Sequence, residues 1–444
     1  MHLTNTNNSL RISFTVAVAI LPLLATYSSG IPGFSAADVV LVCFFIVTLL
    51  RYRSPLRNNF AVSPNLIYIA IYLIVLLSLI SLATQRDAQF VNVAIRTIRY
   101  FFYLSVAGVC SRRILDIPMC EKAVVFVCIA ATSYIVLQFA LYHTSDVILK
   151  GFLPFLSVYE EGYATTNYES IYSSMYRPTS FFLEPAHYAR YQLIGLAVCL
   201  FSSNSFSHKN RSIFVAIFIS IGILISTSAQ GYLLMFIIWL VWIVKQLCET
   251  QNNTVRNVLL CLIPFLPLII YAVFSTQVVE LTIKRALNWD VSNTNTAIGA
   301  RIGGLQYYID LPFLYKIIGC GFGVVPEHAW LSSAAYWLYG SGIIVFLLYL
   351  IYGLICIKPL HGAKKCILLV FLALFFSDDS FYSYMCIIFI SLSLLAPRKP
   401  EDCVNDNSIY CSRTEFRKRY MYRDHNAANG SGKQRVLHHE PGLE

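Results

Sequence analysis

Apolar residues run along this chain in blocks of roughly twenty, separated by short polar stretches. The blocks are 11–28, 36–50, 65–83, 93–110, 123–142, 186–204, 212–228, 231–247, 257–275, 332–357, 363–377 and 381–396. A helix needs about 20 apolar residues to cross a hydrocarbon core about 30 Å thick. The blocks are too long and too uniformly apolar for barrel strands, which leaves helix as the spanning structure. The pattern predicts an all-α integral membrane protein with about 12 transmembrane helices. The first block follows Arg11, and Leu24-Ala25-Thr26-Tyr27 lacks a small-x-small cleavage pattern, so it reads as a retained anchor.

Lys and Arg set the orientation. Arg51, Arg53 and Arg57 follow the second block, Arg112, Arg113 and Lys122 the fourth, and Lys209 and Arg211 the sixth. Lys245 and Arg256 follow the eighth, Lys358, Lys364 and Lys365 the tenth, and Arg398 and Lys399 the last. Every second loop is basic, so both termini are expected in the cytoplasm. The opposite loops lie outside. Two of them, 143–185 and 276–331, are long, and long loops concentrate function. The expected organisation is a polytopic transmembrane domain over 1–396 and a disordered cytoplasmic tail over 397–444, which contains Gly430-Ser431-Gly432.

Composition agrees. Apolar residues make up 57% and charged residues 13%, with a mean hydropathy of +0.62. Soluble domains carry about a quarter charged residues, so the lipid bilayer is this chain's solvent. The net charge of +10 is dispersed in clusters between apolar blocks rather than gathered on one face, which argues against nucleic acid as a partner. The 13 cysteines are odd in number, and Cys43, Cys128, Cys199, Cys261 and Cys386 lie inside apolar blocks. Without metal-ligand spacing to His they read as packing residues. No metal or cofactor is expected.

Candidate chemistry gathers in Arg177-Pro178-Thr179-Ser180-Phe181-Phe182-Leu183-Glu184-Pro185-Ala186-His187-Tyr188-Ala189-Arg190-Tyr191. Pro185 suits the first position of a helix, and Glu184 the N-cap, where the helix dipole favours a carboxylate. Glu184, His187, Tyr188 and Tyr191 are spaced to share one face. A capped helix start in an aromatic interfacial belt explains these residues. It does not explain Arg190, an ionisable group inside an apolar helix, which usually faces a cavity or a partner.

The other long loop carries Arg285, Arg301, Gly319-Cys320-Gly321-Phe322-Gly323, His328, Trp330 and a helix start at Gly340-Ser341-Gly342. A glycine-rich turn presents N–H groups to phosphate or simply re-enters tightly. This one lacks the Walker lysine. Arg96 and Arg99 fit either headgroup snorkelling or a phosphate clamp. Asp378-Asp379 reads as a turn.

Three places resemble the family of O-antigen polymerases and ligases, the Wzy- and WaaL-like proteins. Arg177 to Pro185 is similar to the Arg…Phe-x-Glu-Pro signature of the polymerase branch. Arg301-Ile302-Gly303-Gly304-Leu305 resembles the Arg-x3-Leu element of the large outer loop. Gly319 to Gly323, His328 and Gly340-Ser341-Gly342 resemble the pattern closing that loop. Family ligases place a Gly eleven positions after the loop His. Here Gly340 is twelve after His328, and Ala329 replaces the usual Asn or Ser, which favours the polymerase branch over the ligase.

The resemblance implies a glycosyltransferase of the bacterial inner membrane. It would move glycan from undecaprenyl diphosphate to an acceptor sugar on the outer face, building O-antigen, capsule or exopolysaccharide. In the ligase alternative the acceptor is lipid A-core. A chain-length-regulating co-polymerase is a partner implied by the family alone. Loss of a lipid diphosphate leaves charge on phosphate oxygen, which fixed guanidinium groups stabilise. Arg177, Arg190 and Arg301 are the candidates, with Arg285 and Arg99 behind them. Glu184 or His328 would take the acceptor's proton. Tyr188 and Trp330 would stack on sugar, with His187 beside them. The competing class is a lipid-linked sugar flippase. Such a carrier keeps its ionisable or broken-helix sites near mid-bilayer, whereas polar residues here gather in two outer loops.

Overall fold

The computed structural model describes residues 2–31, 34–52, 65–84, 90–151, 156–158, 176–202, 209–249, 304–326, 331–377, 388, 391 and 392. The chain divides into two units, Met1–Leu395 and Ala396–Glu444. The second, expected as a disordered tail, lies outside the described residues, as do the blocks 257–275 and most of 381–396.

Among the described residues the regular secondary structure is helical, with only isolated bridges between Tyr27 and Val158 and between Ser28 and Ser35. The helices are α1 His2–Leu24, α2 Ala36–Arg51, α3 Asn65–Thr84, α4 Phe90–Val106, α5 Ile117–Ser145, α6 Pro185–Phe201, α7 Lys209–Ile225, α8 Ala229–Glu249, α9 Phe313–Ile318, α10 Ser333–Ile357 and α11 Gly362–Ser377. A π-helical turn, Ala107–Ser111, prolongs α4. Four stretches are long and apolar enough to cross a membrane: Val93–Ser111, Ile117–Ser145, Ala229–Cys248 and Ser333–Ile357. Shorter apolar helices accompany them at Asn8–Leu24, Tyr72–Ser81 and Arg211–Ile225.

Boundaries follow local chemistry. Ser35 and Asp38 form a reciprocal capping box at the start of α2. Asp116 caps α5 by accepting from the Met119 N–H and also meets Arg11 at 3.3 Å. Apolar side chains face outward in stripes, such as Ile95, Ile98 and Phe101 on α4 and Leu233, Leu240 and Val244 on α8. Water-soluble surfaces rarely carry apolar area on this scale.

The exception is α6, buried on every side from Tyr188 to Leu200. A helix buried all round belongs in an interior, and α6 is the axle around which α5, α7, α8 and α11 pack, with α1 packed against α5. Small residues admit these neighbours closely. A Cβ on Gly222 of α7 would strike the Tyr188 hydroxyl, and one on Gly231 of α8 would lie 2.7 Å from Ala189 Cβ. A second core joins α3, α4, α10 and the turn after α9 through Ile74, Tyr100, Trp337, Tyr349 and Phe322.

Helix ends fall into two groups. At one, Ser28 N–H donates to the Ser157 carbonyl, Ser180 meets α5, and Arg177 meets the α7–α8 turn. At the other, Arg113 donates to the Tyr52 carbonyl, Ser202 to Glu121, and Lys245 lies over the Phe201 ring.

Candidate functional site

At the first end, residues 176–184 fold back into the bundle rather than lying over it. α5 has 29 residues, which at 1.5 Å per residue makes it about 43 Å long. Beyond its left-handed cap at Asp146, the chain turns back along the helix, so that Gln138 donates to the Leu149 carbonyl and Tyr134 to the Lys150 carbonyl. Segment 176–184 packs into the same corner. Ser180, at φ +56°, donates its hydroxyl to the Ala131 carbonyl and its N–H to Gln138 Oε1 at 2.8 Å. Phe182 is 1% exposed and lies against the rings of Tyr188 and Tyr191. Tyr176 stacks on Tyr142, and Phe181 on Tyr134.

This anchoring fixes Arg177. Its Nε donates to Thr227 Oγ1 at 3.0 Å and its Nη2 to the Thr227 carbonyl at 3.4 Å. Thr227 is itself at φ +54° in the turn between α7 and α8. Arg177 therefore joins the incoming segment to that turn.

Glu184 is the N-cap of α6, with Pro185 at the first position, as its sequence indicates. Its side chain makes no capping hydrogen bond, and the half-buried carboxylate stays near the positive end of the helix. His187 is also half-buried. Arg190 is 3% exposed and sits within the apolar helix, where the sequence places it.

Tyr188 departs from expectation. It is fully buried, its hydroxyl 3.0 Å from Thr132 Oγ1 and its ring against Phe182. A ring enclosed on both faces packs helices and offers no platform to a sugar. Tyr191 is equally buried, donating to the Ala19 carbonyl at 2.6 Å. The shared face of Glu184, His187, Tyr188 and Tyr191 thus divides into an anchoring pair and a more accessible pair.

Arg99 lies on α4 with its guanidinium 5.6 Å from the Phe34 ring centre. Arg285, Arg301, His328, Trp330 and Asp378-Asp379 lie outside the described residues. Among the described residues, no group of three or more His, Cys, Asp or Glu is placed to hold a metal.

The glycine-rich turn resolves towards packing. α10 is broken at Gly342, whose φ of +75° and ψ of 173° are non-helical. Near that break, the carbonyls of Tyr339 and Gly340 accept from the N–H groups of Cys320 and Gly321. Gly319 N–H donates to Tyr315, Phe322 N–H to Ser78 Oγ, and Val324 N–H to Gly321. The N–H groups of Gly319 to Phe322 are thus spent on partners within the protein, which leaves little of the turn to cradle a phosphate. It closes α9 onto α10. Burial there pushes the Cys320 thiol up to about 11.

Sequence reasoning missed Gln138 and Thr227. Each is one polar residue within or beside an apolar helix, a signal that marks partners but does not name them. The chain matches no protein-family model and no curated protein.

Proposed function

We propose that this chain is a multi-pass inner-membrane glycosyltransferase that polymerises lipid-linked oligosaccharide repeat units. About 12 spans put both termini in the cytoplasm and the end bearing Arg177 and Glu184 at the extracytoplasmic surface. The acceptor hydroxyl attacks the anomeric carbon of the donor glycan. The bond from that carbon to the diphosphate oxygen breaks, and undecaprenyl diphosphate leaves. Arg177 and Arg190, with Arg301, Arg285 and Arg99 as further candidates, balance the charge developing on the leaving group. Glu184 or His328 takes the proton, and His187 and Trp330 line the sugar path.

The observation that carries this reading is segment 176–184. It is folded back into the bundle, holds Arg177 in a fixed pose, and delivers a carboxylate that does not cap its own helix. The test replaces Arg177 or Glu184 with Ala, confirms insertion, and measures glycan chain length. Loss of the long-chain products supports the assignment, and an unaltered ladder in both variants removes them from the site.

A flippase is the second reading, favoured by the break in α10 at Gly342 and by the buried Arg190, since carriers use broken helices and ionisable groups inside the bundle. The two readings separate on deletion of the gene. Single lipid-linked repeats accumulate on the outer face if a polymerase is lost and on the inner face if a flippase is lost.

A further inference from the structure

Gln138 is fully buried on α5, and both ends of its amide are used. Its Oε1 accepts from the Ser180 N–H at 2.8 Å, and its Nε2 donates to the Leu149 carbonyl at 2.9 Å. The amide's orientation is unambiguous, because a backbone N–H only donates and a carbonyl only accepts. One side chain thus ties together three stretches of chain: α5, the returning residues 149–151, and segment 176–184.

The tie falls at the point where the segment is least able to hold its own shape. Ser180 has the left-handed backbone conformation that non-glycine residues seldom adopt. Its two bonds to α5 oppose that tendency, and a Cβ on Gly151 would strike the Ser180 carbonyl, so the returning residues also press on it. Arg177 lies three residues before Ser180 and Glu184 four after. A shift at Ser180 moves both.

We propose that Gln138 is a positioning residue: its amide sets the pose of segment 176–184 and thereby places Arg177 and Glu184 for the reaction. The role rests on the polymerase reading above, whereas the ordering of the segment does not.

The test uses the full-length protein in nanodiscs. Gln138→Met keeps side-chain length and removes both hydrogen bonds. Hydrogen exchange followed by mass spectrometry is expected to speed up about tenfold at the Ser180 amide while exchange in α8 stays unchanged. Glycan extension should fall through the rate constant with little change in KM. Gln138→Glu supplies a finer readout. Protonated, the introduced carboxyl reproduces both bonds; ionised, it keeps the acceptor and loses the donor to Leu149. Its extension rate should therefore fall with rising pH more steeply than that of the wild type.

Unchanged exchange over 176–184 in Gln138→Met overturns the proposal. So does faster exchange across the whole protein, which would mark Gln138 as a general packing residue. Local loosening with full extension activity overturns the link to catalysis. If the wild type extends no glycan, the polymerase reading fails, and the exchange result still decides whether Gln138 orders the segment.

Discussion

Replacing Gly342 with Ala should unlatch α9 and the glycine turn from α10. Gly342 sits at φ +75° and ψ 173°, a region essentially closed to residues with a Cβ, where strain is about 1–3 kcal/mol. The added methyl would also lie 2.5 Å from the Ile317 carbonyl carbon and 2.8 Å from the Gly319 nitrogen, and would strike the Ile317 carbonyl oxygen. All three atoms are backbone, so no side chain can swing aside, and such overpacking costs about 1–3 kcal/mol more. The lower chain entropy of Ala in the unfolded state returns about 0.4–1 kcal/mol. The net expectation is a loss of about 3 kcal/mol. Denaturation by SDS in mixed micelles, followed by circular dichroism, measures it. Gly108→Ala is the internal control, because its Cβ would meet nothing within 4 Å and its φ is ordinary; it should stay within about 1 kcal/mol of wild type. Equal stability of the two variants would refute the interlock between the α10 break and the 319–323 turn.

Other consequences are equally direct. Phe182→Ala removes a ring that is 1% exposed, costs about 3–5 kcal/mol, and should make 176–184 the first site of limited proteolysis. Arg177→Lys keeps the charge but cannot reproduce both bonds to Thr227; glycan extension should fall about tenfold or more, read from the product ladder. The Cys320 thiol, pushed up to about 11, carries little thiolate at neutral pH. Alkylation followed by mass spectrometry should find it far slower than the exposed Cys248, with its rate rising only as pH climbs towards 11.

Much of this architecture is legible in the chain. Long apolar blocks leave the backbone no alternative to helix, so α2, α3 and α10 begin and end close to where hydropathy changes. Glu184 and Pro185 mark the start of α6 because an N-cap and a first-turn proline solve a local problem. What those residues do with their side chains is another matter. Glu184 occupies the cap position without capping, and Tyr188 turns inward, because α6 is surrounded on all sides and periodicity cannot choose a face for a helix that has no outside. The pairings of Ser180 with Gln138 and of Arg177 with Thr227 span 42 and 50 residues, and no local rule connects them. The glycine turn permitted two readings until the break at Gly342 brought carbonyl acceptors to its N–H groups.

Whether the protein lengthens lipid-linked glycan is decided by one reconstitution. The purified protein in liposomes would be given an undecaprenyl-diphosphate-linked oligosaccharide on the face that Arg177 occupies, without nucleotide. A polymerase yields longer lipid-linked glycans and releases one undecaprenyl diphosphate per added repeat, and does neither with Glu184→Ala and Arg177→Ala combined. Passage of intact single repeats across the bilayer without lengthening would contradict the polymerase reading.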